Sequence, residues 1–355
     1  MKPKSIVTIA SAVIAATAVL SLGQAPPAAA PKSGPGIQAP QDAREPELLK
    51  SCKTPPPARG GARGGGPARG RGPAAPPGPR DYTVTEIPGV IAAGQKWTEV
   101  WTGTGNNADG PVASKDGGLL VAQNTDSTVM KLDKDNKPSI LYRDTNTGGA
   151  VSMSRKGALF VNERGLKESI VELAPQHKTL ADTYNGDPLD CIGGVLNDLS
   201  ADSKGGVYFT MGVVWHADPK GVVTRYGDGL NTNGIILSAN EKILYVTNGT
   251  TLVAFDVQKD GSLANQREFA KLEGTGADGS TIDAAGRVYV TSSAGIEVIG
   301  PDGKHIGVIP TPRPVITAAF SGKDKKTLYA IANNQQEDHI FTIPMIAQGY
   351  KGRAK

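Results

Sequence analysis

The chain has 355 residues, a formal charge of +4, 26 prolines and two cysteines, and these are unevenly distributed. The first 80 residues hold 15 of the prolines and eleven Lys/Arg against three acids, so the other 275 carry 27 basic and 31 acidic groups. A mildly acidic body excludes a basic nucleic-acid-binding core, and two cysteines, one in the Pro-rich part, exclude a disulfide scaffold and a Cys-rich zinc site.

The chain opens on Met1-Lys2-Pro3-Lys4, an apolar stretch from Ile6 to Leu20, and then Ala25-Pro26-Pro27-Ala28-Ala29-Ala30. A basic start, a short apolar run and a small-residue exit predict an export signal over 1–30, making the protein periplasmic or secreted. The apolar run is short for a membrane span, although an uncleaved anchor is the alternative. Residues 31–80, with Pro55-Pro56-Pro57 and a Gly/Ala/Pro/Arg run from Arg59 to Arg80, predict a disordered linker that cannot offset its ordering entropy. Arg spaced by Gly suits RNA or anionic surface polymers, but a solvated tether fits an exported chain better. The stretch Asp42 to Lys50 predicts a helical turn or two.

From Asp81 on, long helical periodicity is missing and short β-rich runs recur. One pattern, a small inner run, a polar turn and an apolar run with a large central residue, occurs six times. The central residues are Leu120, Phe160, Tyr208, Tyr245, Tyr289 and Tyr329, separated by 40, 48, 37, 44 and 40 residues. That period is the length of a propeller blade, so the predicted fold is an all-β, six-bladed β-propeller over 81–350. Third strands are predicted at Thr128–Asp133, Ser169–Leu173, Val222–Tyr226, Leu252–Val257, Ile296–Ile299 and Ile340–Ile343. Asp-Gly pairs at Asp116, Asp260 and Asp302 suit tight hairpins. Tyr82 to Trp101 is expected to close the ring.

Equivalent positions just before the inner strands meet around the axis of a propeller. Here they are Asp109, Gly149, Asn197, Asn233, Asp278 and Thr317. Four of the six bear carboxylate or amide oxygens, the ligands that hard divalent cations prefer. Asp109, Asn197, Asn233 and Asp278 are therefore the predicted metal ligands. Asn and Asp are also common in turns before strands, which is the alternative for any single one.

The same segments carry a resemblance. Asp109-Gly110-Pro111, Leu196-Asn197-Asp198, Thr232-Asn233-Gly234 with Leu237-Ser238, and Asp278-Gly279 with Ile282-Asp283 resemble the signatures of the gluconolactonase, regucalcin (senescence marker protein 30) and luciferin-regenerating-enzyme-like family. The resemblance spans about Gly105 to Ile343. It implies a six-bladed propeller with one central divalent metal and hydrolysis of sugar lactones or, in relatives, phosphorus esters. It puts Asn197, Asn233 and Asp278 at ligand positions and Asp109 where the family usually has Glu. The chain departs from the family pattern elsewhere. Leu189 to Val195 lacks the Arg that many lactonases place ahead of the Asn-Asp pair, Met211 stands where Asp is common, and Thr317 lies near the usual last-blade Asn.

The expected activity is hydrolysis of a small-molecule lactone or ester, with water activated by the metal attacking the carbonyl. Calcium is the first candidate cofactor, ahead of Zn2+, Mn2+ or Mg2+. Asp278 is the expected base, and Asp198 a weaker candidate for an outer partner of the centre. The alternative is a non-catalytic metal-binding propeller that takes a ligand or protein at its central face. His177, His216, His305 and His339 read as turn or outer-strand residues, with His216 conceivable on a loop over the opening. Cys191 reads as a small buried thiol, and Asn146 or Asn162 lies near the ligand face. No nucleic acid and no stable membrane span after signal cleavage are expected, and the protein is read as a monomer.

Overall fold

The computed structural model describes residues 43–54, 82–105, 107–333 and 337–352, so the expected signal over 1–30 and most of the linker lie outside the described residues. Six four-stranded antiparallel sheets follow one another around a ring. Blades I to V run from inner to outer strand in chain order, with inner strands Ala108–Ala113, Val151–Met153, Leu199–Ala201, Thr232–Leu237 and Ser280–Ile282. Each inner strand touches the next, and that of blade VI, Thr317–Ser321, returns to blade I. Blade VI is completed by the earliest strand among the described residues, Thr98–Thr104, paired antiparallel with Glu337–Pro344. This is the ring closure expected from Tyr82–Trp101, extended by three residues.

The repeat has a packing cause. All six central residues lie on the second strand of their blade, and each packs toward the following blade. Leu120 lies in the cluster shared by blades I and II, Phe160 in that of II and III, Tyr208 in that of III and IV. Tyr245, Tyr289 and Tyr329 continue the series between IV and V, V and VI, and VI and I. Strand neighbours alternate faces, so Leu119 and Val121 pack back onto blade VI while Leu120 faces blade II. Each buried side chain of this size contributes about 1.5–3 kcal/mol, and the six contacts hold the ring as a set.

Blade III differs from expectation. Its third strand is Val213–Ala217, and the predicted segment Val222–Tyr226 forms the outer strand, Val223–Tyr226. Gly212, with φ at +70°, turns the chain between Met211 and Val213 in a single residue. The apolar run through that turn therefore reads as one strand when it is two.

The two cysteines are the second correction. Cys52 and Cys191 form a disulfide with Cα atoms 5.6 Å apart, so Cys191 is neither a free thiol nor a candidate nucleophile. One bridge is no scaffold, but it docks the described part of the presumed linker onto the propeller. A short helix, Glu45–Leu49, leads to Cys52, in place of disorder at 43–54. The adjoining Lys53 donates from Nζ to the Asn185 carbonyl at 2.7 Å and from its amide to Asp187 Oδ1 at 3.2 Å. Both acceptors belong to the small hairpin Thr183–Tyr184/Asp187–Pro188. Among the described residues no helix is long and apolar enough to cross a membrane.

A candidate metal centre on the propeller axis

The ring brings the four predicted ligands to the inner strands of blades I, III, IV and V. Asp109 lies inside the first of these strands, at a register shift that lets its side chain leave the ladder. Asn233 sits at a matching shift in blade IV, while Asn197 and Asp278 stand two residues ahead of their strands. Gly234 explains why Asn-Gly is needed there: a Cβ on it would come within 2.2 Å of the Asp278 carbonyl oxygen. Blades IV and V can therefore close onto each other beside their ligands.

Most oxygens at this pole have assigned donors. Asp109 Oδ1 accepts the Gly110 amide at 2.6 Å. Asp198 is 6% exposed, and its two oxygens accept the amides of Leu199 at 2.8 Å and Ile235 at 2.9 Å. It thus ties blade III to blade IV. Asn162 does the same for blade II, with Oδ1 accepting from the Gly149 and Ala150 amides and Nδ2 donating to the Asn197 carbonyl. Asn146 is used as a loop clasp: its carbonyl accepts from the amides of Arg164 and Gly165. Among the four predicted ligands, the Asn233 side-chain oxygen is buried and without a donor. A buried carbonyl oxygen left unpaired is costly, and it is the kind of ligand calcium takes.

Sequence reasoning missed Arg164. This residue follows the second strand of blade II, is 2% exposed, and enters the same centre. Its Nη2 donates to the Asn197 carbonyl at 2.7 Å and reaches Asn197 Oδ1 at 3.4 Å, with Asp109 Oδ2 at 3.9 Å. With its amide turned to satisfy both ends, Asn124 accepts from Arg164 Nη1 at 2.8 Å and donates to the Thr147 carbonyl. Gly149 leaves the space: a Cβ there would lie 1.7 Å from the guanidinium carbon. A signal was present in the sequence. The fourth residue after each central position is Asn124, Arg164, Gly212, Gly249, Ser293 and Asn333, one cation among small or amide side chains.

The electrostatics tie these groups together. Burial pushes the Asp278 carboxyl well above the usual carboxylate range, and the nearby Asp109 and Asp198 carboxylates add to the push. The Arg164 guanidinium and the Gly279 amide oppose it. Burial also draws Arg164 down, against the pull of Asp109, Asp198, Asp278 and, more weakly, Glu168. The carboxylates of Asp109, Asp198 and Asp278 thus all act on one guanidinium, and the negative charge at this pole is what a divalent cation would neutralise. The donor set, two carboxylates and two amides with one orphaned oxygen, fits a hard cation.

The other candidates lie elsewhere. Among the described residues no three His, Cys, Asp or Glu side chains group as a metal cluster. His216 is buried in the third strand of blade III, stacked on Tyr208 with ring centroids 4.2 Å apart and 3.5 Å from Asp202 Oδ2. It is a packing residue and does not lie over the opening. His339 is buried in the third strand of blade VI between Glu99 and Glu337, at the ring closure. His177 is exposed in a turn, and His305 begins the outer strand of blade V.

Comparison with known proteins agrees with this architecture. A sequence model described as the SMP-30/Gluconolactonase/LRE-like region matches residues 107–333. A gluconolactonase of Zymomonas mobilis is 24% identical over 296 residues, which cover 69% of this chain and 78% of that one. A solved gluconolactonase of Xanthomonas campestris superposes with a TM-score of 0.63 at 21% identity, covering 78% of this chain and 99% of its own. Regucalcin of Agrobacterium tumefaciens, a calcium-binding protein, gives 0.55 at 16% identity over 70% of this chain and 95% of its own.

Proposed function

We propose, from the premise that this chain belongs to the SMP-30/Gluconolactonase/LRE-like family, that it is a divalent-metal-dependent hydrolase of small lactone-type esters. Asp109, Asn197, Asn233 and Asp278 hold the ion, with calcium the first candidate. When bound, such an ion supplies Lewis acidity to the lactone carbonyl and acidifies water. The chain's own groups do the rest. Asp278 takes the proton of the attacking water, a task suited to a carboxyl that burial makes more basic than usual. Asp198 and Asn162 fix the backbone that aims the ligands. The observation that carries this reading is the unpaired, buried Asn233 oxygen, at the same pole as the raised Asp278 carboxyl.

Export is part of the proposal. The Cys52–Cys191 bridge supports it, because such bonds persist in oxidising compartments. The test of the activity is elemental analysis of purified protein followed by a lactone panel read by acid release. Chelator should abolish hydrolysis, and calcium should restore it. A protein that binds metal but opens no lactone would instead support a non-catalytic propeller.

A further inference from the structure

We infer that Arg164 is a built-in cation that competes with the divalent ion for Asp109 and Asn197 and so sets the affinity of the centre. The inference rests on the reading that an ion binds there, and goes beyond it by assigning a residue that works against that ion.

The guanidinium is fixed in place. It lies flush on Gly149, where even a methyl group would collide with it, so it cannot fall back from the axis. Its loop is clamped at both ends. The amides of Arg164 and Gly165 donate to the Asn146 carbonyl at 3.1 and 2.9 Å. Those of Lys167 and Glu168 donate to the two oxygens of Asp190, each at 3.0 Å. Two of the four candidate ligands are already in its reach, Asn197 by hydrogen bonds and Asp109 as an ion pair. Of the other two, Asn233 has a side-chain oxygen with no donor, and Asp278 feels the guanidinium through its charge. An ion that recruits Asn197 and Asp109 must share them with a positive charge that water cannot screen at 2% exposure. Asp109 is held on that side by its own turn, with Oδ1 on the Gly110 amide and Oδ2 3.9 Å from Arg164. Arg164 is thus a positioning residue, and a weak, readily exchanged ion is the expected consequence.

The test is calorimetric titration of the full chain with calcium chloride, for the parent, Arg164→Gln and Arg164→Lys. Removing a buried unit charge a few ångströms from a divalent ion should tighten binding by at least about tenfold. Arg164→Lys, which keeps the charge, should stay close to the parent. Damage to the fold weakens binding, so a gain of affinity separates this role from a structural one. A folded Arg164→Gln that binds calcium no more tightly than the parent overturns the inference and leaves the metal centre standing. Binding by neither protein overturns both. If Arg164→Gln fails to fold, the parent decides by 15N-arginine resonances followed through the titration. A buried guanidinium Nε–H signal should shift as the ion enters, and none moving at saturation overturns the competition.

Discussion

Cys191 is bonded to Cys52, 139 residues earlier, and its chain neighbour Asp190 holds the amides of Lys167 and Glu168. A covalent tie at the rim therefore stands one residue from the clamp on the loop that carries Arg164. Cys52→Ser with Cys191→Ser should lower stability by about 2–4 kcal/mol. Melting curves with and without reductant check this: the parent should lose stability on reduction, and the double variant should be indifferent to it.

Asp278→Asn keeps the shape of the side chain and removes both the charge and the proton acceptor. Hydrolysis of the best lactone should fall by about 10²–10⁴, and excess calcium should not recover it. Asn233→Ala removes only a neutral ligand, so excess calcium should recover much of its activity. Asp109→Glu restores the usual length and should be tolerated, with metal held at least as tightly. Rates at saturating calcium for the three variants separate these outcomes.

The Lys131 ammonium at 2.5 Å, helped by the Ser114 hydroxyl, holds the Asp116 carboxyl down at about 2. A depressed carboxyl adds stability that is fully present above its ordinary value of 3.8 and is lost as pH falls toward about 2. The pair is over a third exposed on the acid's side, so its contribution is screened to under about 1 kcal/mol. Asp116→Asn should remove that part of the acid-side slope in denaturant melts between pH 4 and 2, and nothing above it.

Tyr289 donates its hydroxyl to Asp283 Oδ2 at 2.9 Å, and Arg287 Nε meets the same fully buried oxygen. Tyr289→Phe removes one donor and should cost about 1–2 kcal/mol in urea melts. Lactone hydrolysis and calcium affinity should be unchanged, because this network serves the turn that follows the inner strand of blade V, at the opposite end of that strand from Asp278.

The architecture was legible because a propeller repeats its packing contact. Tyr208, Tyr245 and Tyr289 recur since each fills the gap to the next blade, and the ligands' register follows from that spacing. What was not legible breaks the repeat. The Gly212 turn makes two strands of one apolar run, and no local pattern reports it. The Cys52–Cys191 pairing joins segments whose proximity only the closed ring creates. Arg164 comes from the far end of a second strand, whereas the register that repeats lies ahead of the inner ones. The Arg absent from Leu189–Val195 thus did not mean a centre without arginine.

Thr98–Thr104 is made before any of blade I, yet its partner Glu337–Pro344 is made near the chain's end. Until then one strand stands with an open hydrogen-bonding edge, and blade VI exists only as a promise between two distant segments. Such an edge invites pairing with another chain. Loss of a few residues before Pro344 would therefore do more than fray a terminus. It would unlatch the circle, expose the apolar walls of blades I and VI together, and turn a self-contained disc into a sheet seeking company.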